Sequence, residues 1–389
     1  MWFFKSPEVV FGEEALGYLE RLEGKRALIV TDEVIVGLGH ADRVRRVLEG
    51  AGLKVEVFDR VEPNPSLETV QAGAAAMTAF QPDWIVGLGG GSPIDAAKAM
   101  WILYERPDMD PEGINPIEIL HLRRKARLIA IPTTSGTGSD ATWAVVLTNT
   151  AERRKLGLGS REDLPDIAIV DPSFVMAMPP RLTADTGMDA LTHAFEGYTC
   201  VYRNDFSDGL CLIAARLVFN YLRRAYRDGT DVEARTKMHY AASIAGMGFG
   251  NSMASLAHGL GHSLGAVFHV PHGRAVSLFL PYVIEFCIRG DPGTTCYGGL
   301  ARFNDLPCSS EAEAASALAQ AVRDLQKDLE QPTTLAACEI TRQDLEKEMV
   351  LLVFNTGNDS STVTSTRIPD DVEVRRLYEY ALDGRPIDF

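Results

Sequence analysis

Residues 83–104 read DWIVGLGGGSPIDAAKAMWILY, and they decide how the first half of the chain folds. Asp83–Leu88 is an apolar run of strand length that ends in glycines. From Pro93 to Tyr104 the texture is that of an Ala-rich helix. A strand that turns through Gly89-Gly90-Gly91-Ser92 into a helix gathers free backbone N–H groups and the positive end of the helix dipole at one point. Glycines there let a pyrophosphate approach the main chain without a Cβ in the way, and Ser92 can donate or cap. The run is not Gly-x-Gly-x-x-Gly, because Ser92 stands at the final glycine position, and it lacks the Gly-Lys-Ser/Thr of a Walker loop. A capped, tight βα turn would read the same way. Three consecutive glycines directly after a strand favour a phosphate site.

The same alternation extends outward on both sides. RALIVT (26–31) is a strand ending at Asp32, 40–52 has helical spacing with a glycine terminator, and KVEVFD (54–59) alternates like a strand. Ser66–Phe80 opens with Ser-x-x-Thr and should be a helix. RLIAI (127–131) runs into PTTSGTGSD, and further strands are expected at 143–148 and 167–170. Stacked βα units of this kind predict a parallel sheet. After Pro179-Pro180 long Ala- and Leu-rich helical stretches take over and convincing strands disappear. The expected fold is therefore α/β plus all-α: a Rossmann-like dinucleotide-binding domain over 1–180 and an all-helical metal-binding and substrate domain over 181–389. The opening WFFKSPEVVFG (2–12) reads as a hairpin or edge strand, and Trp2, Phe3 and Phe4 suggest a surface covered by another subunit.

Composition narrows the partners. The 389 residues carry 38 Lys+Arg against 53 Asp+Glu, a net charge of −15, which argues against a nucleic-acid binder or a reader of anionic membranes. An anionic cofactor is still open, since a few local groups can hold one. No apolar run approaches the roughly 20 residues of a membrane span. The six cysteines form no Cys-x-x-Cys pair, and the N-terminus shows no charged leader followed by an apolar stretch. Reduced thiols in a cytoplasmic protein are the expectation.

Metal chemistry points to the second half. Six of the eight histidines fall between positions 193 and 272. Asp189 and His193 stand at i and i+4 on one helix face, and His258 and His262 repeat that spacing, followed by His269 and His272. Four histidines within fifteen positions among Gly, Leu, Ala and Val would be costly to bury without partners. Imidazole and carboxylate without thiolate suit iron(II), zinc or a similar divalent ion; spacing alone does not choose which histidines are ligands. Asp32, at a strand end, can accept from ribose hydroxyls and repel a 2′-phosphate, or simply cap the next turn. The loop Pro132–Asp140 can bind a nucleotide or only make a turn. Neither Gly-x-Ser-x-Gly nor a Cys–His pair stands out, so nucleophilic catalysis is disfavoured. The runs Arg43–Arg46 and Arg153–Lys155 read as solvated faces.

With these residues in view, the sequence resembles the iron-containing (group III) alcohol dehydrogenases, which include lactaldehyde reductases and butanol dehydrogenases. GGGSPIDAAKA, PTTSGTGS, DALTHAFEGY and HGLGHSLG…PHG occur in the family's order and spacing, and the resemblance is densest over 26–282. It implies a dehydroquinate synthase-like architecture with a cleft holding NAD(P) and a metal. Carried over by position, the metal ligands fall on Asp189, His193, His258 and His272, and His262 matches the motif histidine beside the substrate, often given a proton-transfer role. The resemblance puts cofactor pyrophosphate at Gly90, Gly91 and Ser92, in the motif that also holds Asp95. It puts Asp32 near the adenosine ribose, with Asn64, Thr133, Thr134, Thr137 and Lys155 lining the rest, and Asp95 is counted among the cofactor-binding residues. His269 matches no family ligand. Two departures stand out: Gly138-Ser139-Asp140-Ala141-Thr142 replaces a frequent Gly-Ser-Glu-Val-Thr, and Ser365-Thr366-Arg367 replaces a frequent Asn-Pro-Arg. Neither touches a proposed ligand.

The expected reaction is hydride transfer between nicotinamide, NAD rather than NADP, and a small primary alcohol or aldehyde held on Fe(II) or Zn(II). The expected assembly is a homodimer through the N-terminal strand, with no nucleic-acid or membrane partner. The rivals are a glycerol dehydrogenase-like polyol oxidoreductase, a metallohydrolase that would need no GGGS loop, and a non-catalytic metal-binding oligomer.

Overall fold

The computed structural model describes residues 3–389, and the chain divides into two compact units, Met1–Ala177 and Met178–Phe389. The first unit holds strands β1 (Glu8–Phe11), β2 (Arg26–Val30), β3 (Lys54–Phe58), β4 (Trp84–Gly89), β5 (Arg127–Pro132), β6 (Ala144–Asn149), β7 (Arg154–Gly159) and β8 (Ile167–Val170). Its helices are α1 (Glu33–Gly37), α2 (His40–Gly50), α3 (Leu67–Phe80) and α4 (Gly91–Glu105). Six strands form one parallel sheet in the order β1-β8-β5-β4-β2-β3. Inner strands covered on both faces need no polar side: every residue of β4 is buried, whereas β3 at the edge alternates. Leu28, Val30, Ile85 and Leu128 enter one core, and Ala27, Ile29, Val86 and Ile129 enter the core on the opposite face.

The strand order fixes where a ligand can sit. From β2 the chain crosses to β3 on one side and then to β4 on the other, so the carboxyl ends of β2 and β4 flank a switch point. In open parallel sheets the crevice at such a point is the ligand site. Asp32 follows β2 there, and Gly90-Gly91-Ser92 follow β4.

Helix α4 is buried from Pro93 to Tyr104 and includes Lys98, which is fully buried. Its ammonium donates to Ser139 Oγ at 3.1 Å and to the Ala144 carbonyl at 2.9 Å. One turn earlier, Asp95 accepts from Ser139 Oγ and from the Val146 N–H. The pair bolts α4 to the loop after β5 and to β6. Burial pushes the Asp95 carboxyl up and the Lys98 ammonium down, against their mutual attraction.

One local reading needs correction, and one alternative is resolved. Arg153–Lys155 is not simply a solvated face: β7 starts at Arg154, pairs antiparallel with β6 through Thr148↔Lys155, and half-buries Arg154 and Lys155. The opening segment is an edge strand and not a hairpin, because β1 runs parallel to β8. Phe3, Phe4 and Phe11 are exposed, and Trp2 lies outside the described residues.

The second unit is helical: α5 (Pro180–Thr199), α6 (Asp205–Arg227), α7 (Val232–Gly250), α8 (Leu256–Phe268), α9 (His272–Cys287), α10 (Pro292–Thr295), α11 (Tyr297–Phe303), α12 (Glu311–Asp328), α13 (Arg342–Gly357) and α14 (Asp371–Asp383). Among its described residues there is no strand. Its core is continuous, from Ala184 and Met188 of α5 through Leu260 of α8 and Phe279 of α9 to Tyr378 of α14.

One pH dependence follows for the first unit. Asp163 is fully buried, and burial raises its carboxyl to about 8, against roughly 4 in an unfolded chain. Between those values the folded state keeps a proton that the unfolded chain has released, so stability falls as pH rises. Calorimetry should show Tm declining from about pH 6 to about pH 8, and Asp163→Asn, a neutral isostere, should flatten the decline. Equal slopes in the two proteins would refute this.

Candidate metal centre and nucleotide loops

Asp189 and His193 share one face of α5, His258 and His262 share one face of α8, and His272 opens α9. Asp189, His193, His258 and His272 each bring one ligand atom within 4.8 Å of the others. The two Nε2 atoms of His193 and His258 are 2.9 Å apart, and Asp189 Oδ1 lies 3.5 Å from His272 Nε2 and 3.8 Å from His258 Nε2. Side-chain exposure is 2–5% for the first three and 26% for His272, so the cluster opens on the His272 side. Two imidazole nitrogens this close either share a proton or turn their lone pairs to a common cation, and the buried carboxylate beside them favours a cation. The donor set, one oxygen and three nitrogens, fits a divalent ion such as iron(II) or zinc.

Glycines let the three helices come this close. A Cβ on Gly261 would lie 2.6–2.8 Å from Val276 Cγ1, Cα and N, so α8 meets α9 with no side chain between their backbones. A Cβ on Gly273 would lie 2.2 Å from the Asp185 carbonyl oxygen, the corresponding contact between α9 and α5. The glycines of His258-Gly-Leu-Gly-His262 are thus packing requirements.

Glu196, on α5 and buried, is a residue the sequence reading missed. It accepts from the Ser255 and Ala257 N–H groups at 2.8 and 2.6 Å, capping the start of α8, and from His258 Nδ1. With Nδ1–H committed to Glu196, Nε2 of His258 carries the lone pair that faces the cluster. Burial pulls the His258 pKa down, but Glu196 outweighs it and holds the ring above its ordinary value. A signal did exist, since Glu196 stands seven residues after Asp189 and three after His193, on the same helix face. Asp359, also missed, pairs with His262 Nδ1 at 2.8 Å. Burial opposes its charge, yet His262 and the Ser361 amide keep its carboxyl below the ordinary range. The His262 ring stacks on His272 with centroids 5.2 Å apart. His269 is outside the cluster and caps α8 in the left-handed region, and His239 is buried within α7.

In the first unit the two glycine-bearing loops touch. A Cβ on Gly91 would lie 2.8 Å from Thr137 Cγ2, and one on Gly90 would lie 3.3 Å from Thr134. These glycines therefore serve loop-to-loop packing as well as any approach to phosphate. The Asn64 N–H donates to Ser92 Oγ at 3.3 Å, and the Thr133 N–H donates to the Gly89 carbonyl at 2.9 Å. Helix α4 opens at Gly91 with no side-chain cap from Gly90, at the end where a helix leaves N–H groups without an intrahelical partner. Asp32 caps α1, one oxygen accepting from Ile35 N–H at 2.9 Å. Asp95 turns inward to Ser139 and Lys98, away from this loop surface.

The chain matches the family model described as iron-containing alcohol dehydrogenase over residues 6–172, and that family's C-terminal model over 183–382. It is 38% identical to the NADPH-dependent butanol dehydrogenase of Clostridium saccharobutylicum, covering 100% of both chains. Among solved structures it is similar to a 1,3-propanediol oxidoreductase, with TM-score 0.90 and 31% identity over 98% of this chain and 100% of that one. It is also similar to the sulfoacetaldehyde reductase of Bifidobacterium kashiwanohense in complex with NAD+, with TM-score 0.85 and 28% identity over 98% of both chains.

Glu196→Gln should weaken binding of iron(II) or zinc by about 10–100-fold, read as Kd by chelator competition. An unchanged Kd would remove Glu196 from the metal site.

Proposed function

This chain belongs to the iron-containing alcohol dehydrogenase family, and from that membership we propose how its residues divide the reaction. It is an oxidoreductase that interconverts an alcohol and its aldehyde with a nicotinamide cofactor. In our reading Asp189, His193, His258 and His272 hold the metal, iron(II) or zinc in its place. When bound, the ion lowers the pKa of an alcohol hydroxyl or polarises an aldehyde carbonyl, and the nicotinamide takes or gives the hydride. Asp189 supplies the single negative charge, so three neutral imidazoles leave the centre net positive. His262, stacked beside His272, takes the hydroxyl proton during oxidation and returns it during reduction. The observation that carries this reading is the convergence of four candidate ligand atoms from three helices at one buried point, with a fourth imidazole ring against it.

On the cofactor side, the N–H groups at Gly91 and Ser92, next to Gly90, take the pyrophosphate, and Asn64 fixes Ser92. Thr133, Thr134, Thr137 and Lys155 line the remaining cofactor surface, and Asp95 supports that surface through Ser139. Relatives do not choose the dinucleotide, since one is named for NADPH and another is complexed with NAD+. Asp32 does: its second oxygen is available to ribose hydroxyls, and its charge opposes a 2′-phosphate, so NAD(H) is preferred. The butanol, propanediol and sulfoacetaldehyde in relatives' names support a small primary alcohol or aldehyde. The exposed Phe11 on edge strand β1, with exposed Phe3 and Phe4 ahead of it, supports a homodimer through β1. Six free cysteines suit the cytoplasm.

His272→Ala should lose bound metal, read by elemental analysis, and most turnover, while circular dichroism stays native; full activity without metal would sink the ligand assignment. Wild-type protein should show a higher kcat/KM with NADH than with NADPH, and Asp32→Gly should shift that ratio toward NADPH. A wild-type preference for NADPH would overturn the role given to Asp32.

A further inference from the structure

We propose that Asp359 is the positioning residue for His262: by binding Nδ1 it fixes the tautomer whose Nε2 lone pair meets the substrate hydroxyl. This rests on the proton-transfer role of His262 and extends it by one residue. The two are 97 positions apart, yet Asp359 Oδ2 lies 2.8 Å from His262 Nδ1. Both side chains are more than nine-tenths buried. The second carboxylate oxygen, Oδ1, is held by the Ser361 N–H at 2.8 Å, so the group is fixed at both ends. An ionised carboxylate only accepts hydrogen bonds, so His262 must donate Nδ1–H to it. That commits the ring to a single tautomer, with the lone pair on the opposite nitrogen. A neutral imidazole without this partner divides itself between two tautomers, and the Nε2–H form cannot take a hydroxyl proton.

The surrounding packing makes the pair act as one body. Asp359 sits in the segment after α13, and Thr362 of that segment donates to the Thr356 carbonyl at 2.7 Å. Thr362 Oγ1 also occupies the space above Gly259, where any Cβ would be 2.2 Å away. Tyr378 Oη donates to the Leu260 carbonyl at 2.9 Å and lies 3.0 Å from Thr356 Oγ1. The segment is therefore pinned to the same helix α8 that carries His262, on the turn just before it. The ring is oriented further by stacking on His272 and by an edge contact with His258.

The test uses metal-loaded protein with NAD+ and a primary alcohol, the direction in which His262 takes the proton. Asp359→Asn should lower kcat by about 100-fold, as general acid–base catalysis is worth. Metal content and the Kd for NAD+ should stay unchanged. His262→Ala should fall by a similar factor, and the double variant should fall no further, because the two residues act as a unit. Additive losses, or lost metal or NAD+ binding in Asp359→Asn, would reduce Asp359 to a structural residue and overturn the proposal. Full activity in His262→Ala would instead overturn the premise about His262. A measurement independent of any variant's folding is available on wild-type protein loaded with zinc. Histidine side-chain ¹⁵N resonances should report His262 as the Nδ1–H tautomer, and an Nε2–H form would overturn the inference.

Discussion

The close approach of three helix backbones is the constraint on which the second unit depends. Ligand atoms from α5, α8 and α9 can share one ion only if those helices meet without side chains between them, and Gly261 and Gly273 stand at the two crossings. The usual separation of packed helices, about 8–10 Å, is set by side chains at the contact. Removing the Cβ at each crossing shortens that distance locally and leaves the ligands on rigid elements. Glu196 then joins the same helices by a polar route, closing the start of α8 with two of its backbone amides while aiming His258. Backbone proximity and ligand orientation are one construction, and a change in either disturbs both.

The first unit solves a related problem with a buried charge. A fully buried ammonium is expensive unless its protons are satisfied. Lys98 satisfies them on Ser139 and Ala144, which belong to the loop and strand that α4 has to hold. The same helix begins at the glycine loop. The relative placement of the two loops, after β4 and after β5, is thereby set from below, through Asp95 and Lys98, and from the side, through glycine–threonine contacts.

Much of this was legible in the sequence, and the reasons are physical. Strand–glycine–helix texture is local, so the parallel βα units and the glycine turn between β4 and α4 could be read from residues 26–170. Helical spacing put Asp189 with His193 and His258 with His262, and the family resemblance added His272. What escaped was non-local or doubly determined. Strand β7 carries charges on a half-buried hairpin, so its polar run looked like surface. Asp359 meets His262 only through tertiary structure, and no periodicity links positions so far apart. Glu196 was within helical reach of the ligands but looked like an ordinary charge on an amphipathic helix.

On the proposed reading Asp32 has two tasks, and they do not have to change together. Its oxygen closes the first turn of α1, while its charge is assigned to selecting the dinucleotide. Losing a side-chain cap costs about 1 kcal/mol when alanine replaces it, whereas asparagine or serine would keep the cap and drop the charge. An evolutionary drift between the two dinucleotides therefore has a low-cost corridor at this position. It runs through uncharged capping residues, and aliphatic ones lie off the path.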